Sequence, residues 1–331
     1  VLPVKYCAPE LAKHDIILEA GDTIDKNMDY QAVILHRIPP PQRLPLFAVL
    51  AKRGVKLIWE FDDDLPNIPE WNPFKAGFND DMLSFLQIYL EMSSKIIVST
   101  DHLKAVSAPM HEIPPEKYVV LKNLIDLDHY SLFWKNGHNF NLRQGNPINV
   151  LWSGSYSHVK DLDQIMPVLD YFLKKDNGDI FFTFHGYIPV SCLRTDPRRV
   201  VHVSWNTVKH YASSLCMLSP HIALLPLDPH IFNRSKSNIK YLEMTVAGAA
   251  SISSDINTYT DSIVHGQDGF VAKTTQDWID YITALSKSRA FRHQIVDKAQ
   301  QKVLEEFSWQ TDNQNKRDWI EFFKSVPDIP I

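Results

Sequence analysis

FNRSKSNIKYLEMTVAGAASISSD, Phe232 to Asp255, holds a cluster of cations, the two ends of a short helix and the strand after it. Ser237 is a suitable N-cap and Gly248 a suitable residue just past the last turn, which bounds a helix at roughly 238 to 247. The free backbone N–H groups of such a helix, at residues such as Ser237, Asn238 and Ile239, point at whatever precedes it. Arg234, Lys236 and Lys240 crowd that end, where cations oppose the helix dipole, and no acid sits in the first turn to compensate. A bound anion removes the conflict, and a diphosphate held by Lys240 and the helix N–H groups is the natural candidate. Glu243, one turn deeper on the same face, is placed to accept hydrogen bonds from ribose hydroxyls. Without a ligand, the same residues read as a solvated Lys240/Glu243 i,i+3 pair on an uncapped basic turn.

Outward from this stretch, apolar runs of strand length alternate with amphipathic runs of helix length, the pattern of parallel sheets built from βαβ units. The class is α/β. Strands are expected near Ile16 to Leu18, Ala32 to His36, Val55 to Phe61, Lys95 to Ser99 and Tyr118 to Leu121, with helices over Leu44 to Lys52 and Asp80 to Met92. The polar, aperiodic WKNGHNFNLRQGNP, Trp134 to Pro147, marks a linker. A second series comes after it, with strands at Ile148 to Gly154, Ile180 to Gly186, Val200 to Trp205, Ile222 to Leu227, Ala250 to Ser254 and Phe270 to Ala272. A helix opens at Asp161 with Leu162, Ile165, Met166, Leu169, Phe172 and Leu173 on one face. The C-terminal third reads as one long helix, Thr275 to Phe307, then an aromatic amphipathic stretch, Asp312 to Lys324, that packs back onto the first domain.

Two further segments could carry chemistry. In WSGSYSHVKD, Trp152 to Asp161, Gly154 and Ser155 lie at a strand-to-helix turn where a backbone can approach a phosphate closely. WEFDDDLPNIP, Trp59 to Pro69, places Asp62, Asp63 and Asp64 directly after a buried strand, where open α/β sheets place ligands. Those carboxylates could chelate a divalent ion, contact a sugar, act as a base, or simply cap an acidic turn. His36 ends the strand Ala32 to His36 and is placed similarly, although a lone strand-end histidine is usually structural. The other histidines show no metal spacing.

Composition narrows the functions. With 331 residues and 44% hydrophobic content, the chain can bury the cores of two domains and is not disordered. Lys plus Arg at 34 against Asp plus Glu at 39 gives a net charge of −5, which offers no general field for nucleic acid. No apolar run reaches the roughly 18 residues that span a bilayer, and neither end carries a signal-peptide pattern. Cys7, Cys192 and Cys216 are odd in number and far apart, against a disulfide framework. A cytoplasmic protein is expected, with contact at a membrane surface allowed. The chain has neither GxGxxG nor GxxxxGK[ST], so dehydrogenase and P-loop readings are disfavoured.

The segment KSNIKYLEMTVAGAASISSDINTYTDSIVHGQDGFVA, Lys236 to Ala272, with the EEFSW that ends at Trp309, resembles the donor half of a GT-B glycosyltransferase, most similar to family 4. VLWSGSYSHVKDL, Val150 to Leu162, continues the resemblance, as do ILHR and WEFDDDL more loosely. It implies two Rossmann-like domains facing a cleft: an acceptor-side domain over residues 1–135 joined by a returning C-terminal helix at 310–331, and a donor domain over 146–309. It implies a nucleotide-sugar donor, a glycan, lipid-linked or protein acceptor, transfer with retention, no cofactor and no essential metal. Lys240 would neutralise the diphosphate, Gly154 and Ser155 would approach it, and Glu243 would match the second glutamate of the EX7E motif. The first falls on Ser235, a departure that leaves Asn233, Arg234 and Ser235 as candidates for the sugar hydroxyls. Asp62, Asp63 or His36 would orient or deprotonate the acceptor. The glycine-rich acceptor-side loop is not visible, and VLPVKYCAPELAKHD resembles the segment on the C-terminal side of that loop, which implies a first strand missing from this chain or replaced. Other readings are a metal-dependent transferase using Asp62 to Asp64, a GT-B-like epimerase or phosphorylase, and an inactive sugar-binding or scaffolding module.

Overall fold

The computed structural model describes the chain apart from residues 1–7, 10, 15, 18–20, 22, 26, 38–39, 131–133, 136–137, 140–146, 176–178, 206 and 330–331. Ile16 and Ile17 lie outside any strand, and Leu18 and Cys7 fall outside the described residues. The first sheet has four parallel strands in the order β1 (Ala32–His36), β2 (Lys56–Phe61), β3 (Lys95–Val98), β4 (Tyr118–Val120). Helices α1 (Leu44–Lys52), α2 (Asp80–Met92) and α3 (Asp101–Met110) make the crossovers. The start of α2 is set by Asn79, whose side chain accepts from Met82 N–H at 3.0 Å, and by Asp80 and Asp81 in the first turn. Both faces of β2 are covered, as a central parallel strand requires. Leu57, Trp59 and Phe61 pack with Leu86, Tyr89 and Leu90 of α2, while Ile58 faces a second core on the other side.

A short antiparallel ladder, β5 (Trp134–Lys135) with β6 (His138–Asn139), occupies part of the expected linker, much of which lies outside the described residues. The second sheet is six-stranded and parallel: β7 (Ile148–Gly154), β8 (Ile180–Gly186), β9 (Val200–Val203), β10 (Ile222–Leu225), β11 (Ala250–Ser254) and β12 (Phe270–Ala272). Their order in space is β12-β11-β10-β7-β8-β9. This is the doubly wound order, and its direction reverses between β7 and β10. Ligands of such sheets bind in the crevice beyond the strand C-termini at that reversal. Gly154 ends β7 there.

Two helical expectations are corrected. The helix placed at Asp161 is two pieces, α4 (Val159–Leu162) and α5 (Met166–Lys174). Pro167 near the start of the second piece has no N–H for the preceding turn, so the helix restarts there. The long C-terminal helix is also two, α10 (Thr275–Lys287) and α11 (Arg289–Glu306), with extended Ser288 between them capping the second through Phe291 N–H at 3.2 Å. Between β9 and β12 lie α6 (Val208–Met217), α7 (Ile231–Arg234), α8 (Ile239–Val246) and α9 (Asn257–Thr260).

After α11 the chain pairs with the segment following β4: Ile125 N–H donates to Phe307 O at 2.7 Å and Trp309 N–H to Ile125 O at 3.2 Å. In α12 (Gln314–Ser325), Trp319 Nε1 donates to Lys122 O at 2.9 Å, and Trp319, Phe322 and Phe323 share a core with Ile58 and Ile97 of the first sheet. Each such side chain contributes about 1.5–3 kcal/mol by leaving water. Among the described residues no helix is long and apolar enough to cross a membrane. Cys192 and Cys216 are buried thiols.

Candidate functional site

The reversal between β7 and β10, the start of α8 and the DDD turn of the first domain meet at one place. Helix α8 begins where the sequence indicates, and Gly248, with φ at 87°, sits just past its end in the left-handed region. Its N-cap is Asn238, however, and no side chain caps the turn. Ser237 is drawn away: its Oγ accepts from Asn123 Nδ2 of the first domain at 2.7 Å. Asn238 Nδ2 in turn donates to Ser262 Oγ at 2.8 Å. With no acid in the first turn, the positive end of α8 is left uncompensated.

Lys240 lies in that first turn, half-buried, and among the described residues makes no hydrogen bond or ion pair; its Nζ is 5.9 Å from the centroid of the Trp152 ring. Burial pulls its ammonium from 10.5 down to about 8, against the opposing pull of Asp161 and Glu243, with Lys236 adding to the decrease. Glu243 on the next turn accepts from Tyr211 Oη at 3.0 Å. Burial pushes its carboxyl up to about 7, with Tyr211 and Lys240 opposing. Lys240 and Glu243 are therefore not a solvated surface pair. Arg234 is exposed, unlike the two lysines, and its carbonyl accepts from Asn257 Nδ2 at 2.8 Å.

From the first domain, the three aspartates diverge. Asp63 Oδ1 accepts from Lys236 Nζ at 2.7 Å, and the same ammonium lies 4.2 Å from the Phe232 ring centroid. Burial works to raise the Asp63 carboxyl, but Lys236 prevails and holds it below the usual range. Asp64, 2% exposed, accepts from Asn67 Nδ2 at 2.9 Å and from Ser235 Oγ at 3.5 Å, and burial raises it. Asp62 is raised by burial and by the neighbouring charges of Asp63 and Glu60. His36 Nδ1 bonds to Glu60 Oε2, its partner across the β1/β2 register. Ser235 is fully buried, and its carbonyl accepts from Thr100 Oγ1 at 3.0 Å. The turn 235–237 is thus clamped from across the cleft by Asp63, Asp64, Thr100 and Asn123. Among the described residues no group of three or more His, Cys, Asp or Glu is arranged to hold a metal ion.

At the end of β7, a Cβ on Gly154 would lie 2.6 Å from the Trp152 ring and 3.4 Å from His158 Cδ2. The need for glycine is thus met by these packed rings; in the sequence it read as room for a phosphate. Ser155 Oγ is 2.6 Å from Ser157 Oγ. Asn233, 4% exposed, donates from Nδ2 to Asp161 Oδ1 at 2.9 Å and to Asp228 O at 2.9 Å. Sequence reasoning missed Asp161, whose other oxygen holds His158 Nδ1 at 2.7 Å. The i,i+3 spacing of the two within the quoted turn was the available signal. It also missed Tyr211, which stacks with buried His185 at 5.7 Å between ring centroids and ties Glu243 to the sheet.

No protein-family model and no curated protein sequence matches the chain. Solved structures do. TarM superposes with a TM-score of 0.63 at 16% identity over 89% of this chain and 55% of its own, so this chain spans about half the length of TarM. A glycosyltransferase from Rickettsia africae superposes at 0.60 and 15% identity over 96% and 87% of the two chains. HepE from Anabaena, in complex with UDP and glucose, does so at 0.61 and 12% identity over 88% and 77%. The chain has the two-sheet GT-B fold of these glycosyltransferases.

Proposed function

We propose that the protein is a glycosyltransferase that moves a sugar from a nucleotide-sugar to an acceptor hydroxyl, with retention and without an essential metal. The observation that carries this reading is Lys240: a half-buried ammonium that makes no ion pair among the described residues, at the uncompensated start of α8, beside the reversal of a doubly wound sheet. Burying an unpaired charge is costly, and an anionic ligand offsets that cost. The leaving group is a nucleoside diphosphate on whose oxygens charge grows as the glycosidic bond breaks. Lys240, the α8 N–H groups and Lys236, released from Asp63, stabilise that charge. Glu243 receives the ribose hydroxyls. The protein groups supply cationic charge at the leaving oxygens, which supports a reaction that runs without a divalent ion.

Across the cleft, Asp62, whose carboxyl is raised by burial and by the charges of Asp63 and Glu60, and His36, oriented by Glu60, are suited to take or steer the acceptor proton. Asp63 joins them once Lys236 turns to the diphosphate. The acceptor is a glycan or lipid-linked glycan in this reading; a TarM variant has been solved with fondaparinux, α-GlcNAc-glycerol and UDP. Uracil is the first base to try, because HepE has also been solved with UDP-glucose. A thermal-shift panel of UDP-, GDP-, dTDP- and CDP-sugars tests the reading: at least one raises the melting temperature of the wild type, and raises that of Lys240→Met less at the same concentration. No shift with any of them contradicts it.

A further inference from the structure

His158 and Asp161 form a second polar unit at the donor crevice. His158 lies at the turn out of β7, 3.4 Å by its Cδ2 from where a Cβ on Gly154 would sit. It lines one small pocket with Trp71, Asp161, Phe232, Asn233 and Lys236. Asp161 is 3% exposed and fully engaged: Oδ2 meets His158 Nδ1 at 2.7 Å, while Oδ1 accepts from Asp228 N–H at 2.7 Å and Asn233 Nδ2 at 2.9 Å. A carboxylate only accepts, so Nδ1 carries the proton and neutral His158 presents a lone pair at Nε2. Among the described residues Nε2 has no partner, and the side chain keeps 19% of its exposure. A histidine that merely capped its helix would not need a buried, triply bonded carboxylate behind it.

We propose that His158, oriented by Asp161, takes up a proton from solvent at Nε2 when the nucleotide-sugar binds, and so becomes a third positive charge on the donor diphosphate beside Lys240 and Lys236. This rests on the donor-site reading of Lys240. The groups that face the ring are Asp161, Lys240, Lys236 and, across the cleft, Asp63. Burial and the Lys240 and Lys236 charges hold the imidazolium down to about 4 against the pull of Asp161, so without donor the ring is neutral near pH 7. A bare Nε2 lone pair repels phosphate oxygens, whereas the diphosphate offsets the lysine charges that kept the proton away. The proton enters from water, Nδ1–H stays on Asp161, and Nε2–H donates to a phosphate oxygen. When the sugar–oxygen bond breaks, its electron pair goes to that leaving phosphate and strengthens the contact. The proton returns to solvent with product release. No bond to His158 forms.

Because binding takes up a proton, affinity falls by up to about tenfold per pH unit as pH rises from the donor-free value of about 4 toward the bound-state pKa of His158, and levels off above it. The test is calorimetric titration with UDP-glucose, GDP-mannose, dTDP-glucose and CDP-glucose in two buffers of different ionisation enthalpy near neutral pH. These diphosphate diesters do not themselves titrate there. The wild type takes up a measurable fraction of a proton per bound donor, and His158→Gln, which can still hydrogen-bond Asp161, takes up less by that fraction and loses the matching pH slope. Imidazole ¹⁵N spectra of the wild type alone give a second readout. His158 moves from the Nδ1–H tautomer to the doubly protonated form on binding, a change that a structural cap would not show. Donor binding with the same proton uptake in both proteins, or with His158 neutral in the complex, overturns the inference and leaves the donor site standing. Failure of all four nucleotide-sugars to bind overturns both.

Discussion

Lys240→Met should make the donor-free protein more stable while weakening its affinity for donor. In the folded chain the Lys240 ammonium titrates at about 8 instead of 10.5. At 1.36 kcal/mol per unit, that difference is roughly 3 kcal/mol of penalty on holding the charge in the fold. The sign comes from linkage: a depressed amine pKa penalises folding fully below about 8, and the penalty fades as pH rises to the unfolded value. Methionine keeps the length and apolar stem without the charge. Glu243 is not stranded, because its carboxyl, already at about 7, protonates more readily once Lys240 is gone. The expected gain is therefore about 1–3 kcal/mol at pH 6.5, shrinking toward zero above pH 10. Urea denaturation of both proteins across that range measures it, and the difference between them cancels the titrating groups that Lys240 does not face; Glu243, which it does face, adds its own change around pH 7. A solvated i,i+3 pair predicts instead a loss of a few tenths of a kcal/mol with little pH dependence. A Lys240→Met variant less stable than wild type at pH 6.5, or a gain that persists unchanged above pH 10, refutes the view of Lys240 as a buried charge awaiting an anion.

Glu243→Ala should mainly raise KM for the donor, since ribose hydroxyls change little during the reaction; an equal fall in kcat with KM unchanged contradicts that role. EDTA should leave turnover intact, and activity lost to EDTA but restored by Mn²⁺ or Mg²⁺ would make Asp62 to Asp64 the site to re-examine. Gly154→Ala should cost about 1–3 kcal/mol in urea denaturation through overpacking against the buried Trp152 ring, 2.6 Å from the new Cβ, and near-neutral stability would show that the ring can move aside.

Much of the fold was legible because its strands and helices have short, clean apolar periods. Ala32–His36, Ile148–Gly154, Ile180–Gly186 and Ala250–Ser254 begin and end where the pattern does. The break at Ser288 was not legible, since amphipathic residues run through it and a serine caps only when the chain turns extended. The reach of Lys240 and Glu243 into one site was readable from their spacing on α8. The pairing of Lys236 with Asp63 was not, because 173 positions separate them and only the closure of two sheets brings them together. The same holds for Tyr211 and Glu243. Glu60 was passed over because it sits inside an apolar strand, Lys56–Phe61, where its partner His36 shows only in the β1/β2 register.

The central claim is sugar transfer driven by charge at the start of α8. It is tested most directly by nucleoside diphosphate release from a nucleotide-sugar that binds, with donor and acceptor saturating, in wild type and Lys240→Ala. Removal of one preorganised charge of this kind lowers kcat by about a hundredfold or more. Release by wild type with that loss in Lys240→Ala is the predicted result, and turnover in Lys240→Ala close to wild type contradicts the account.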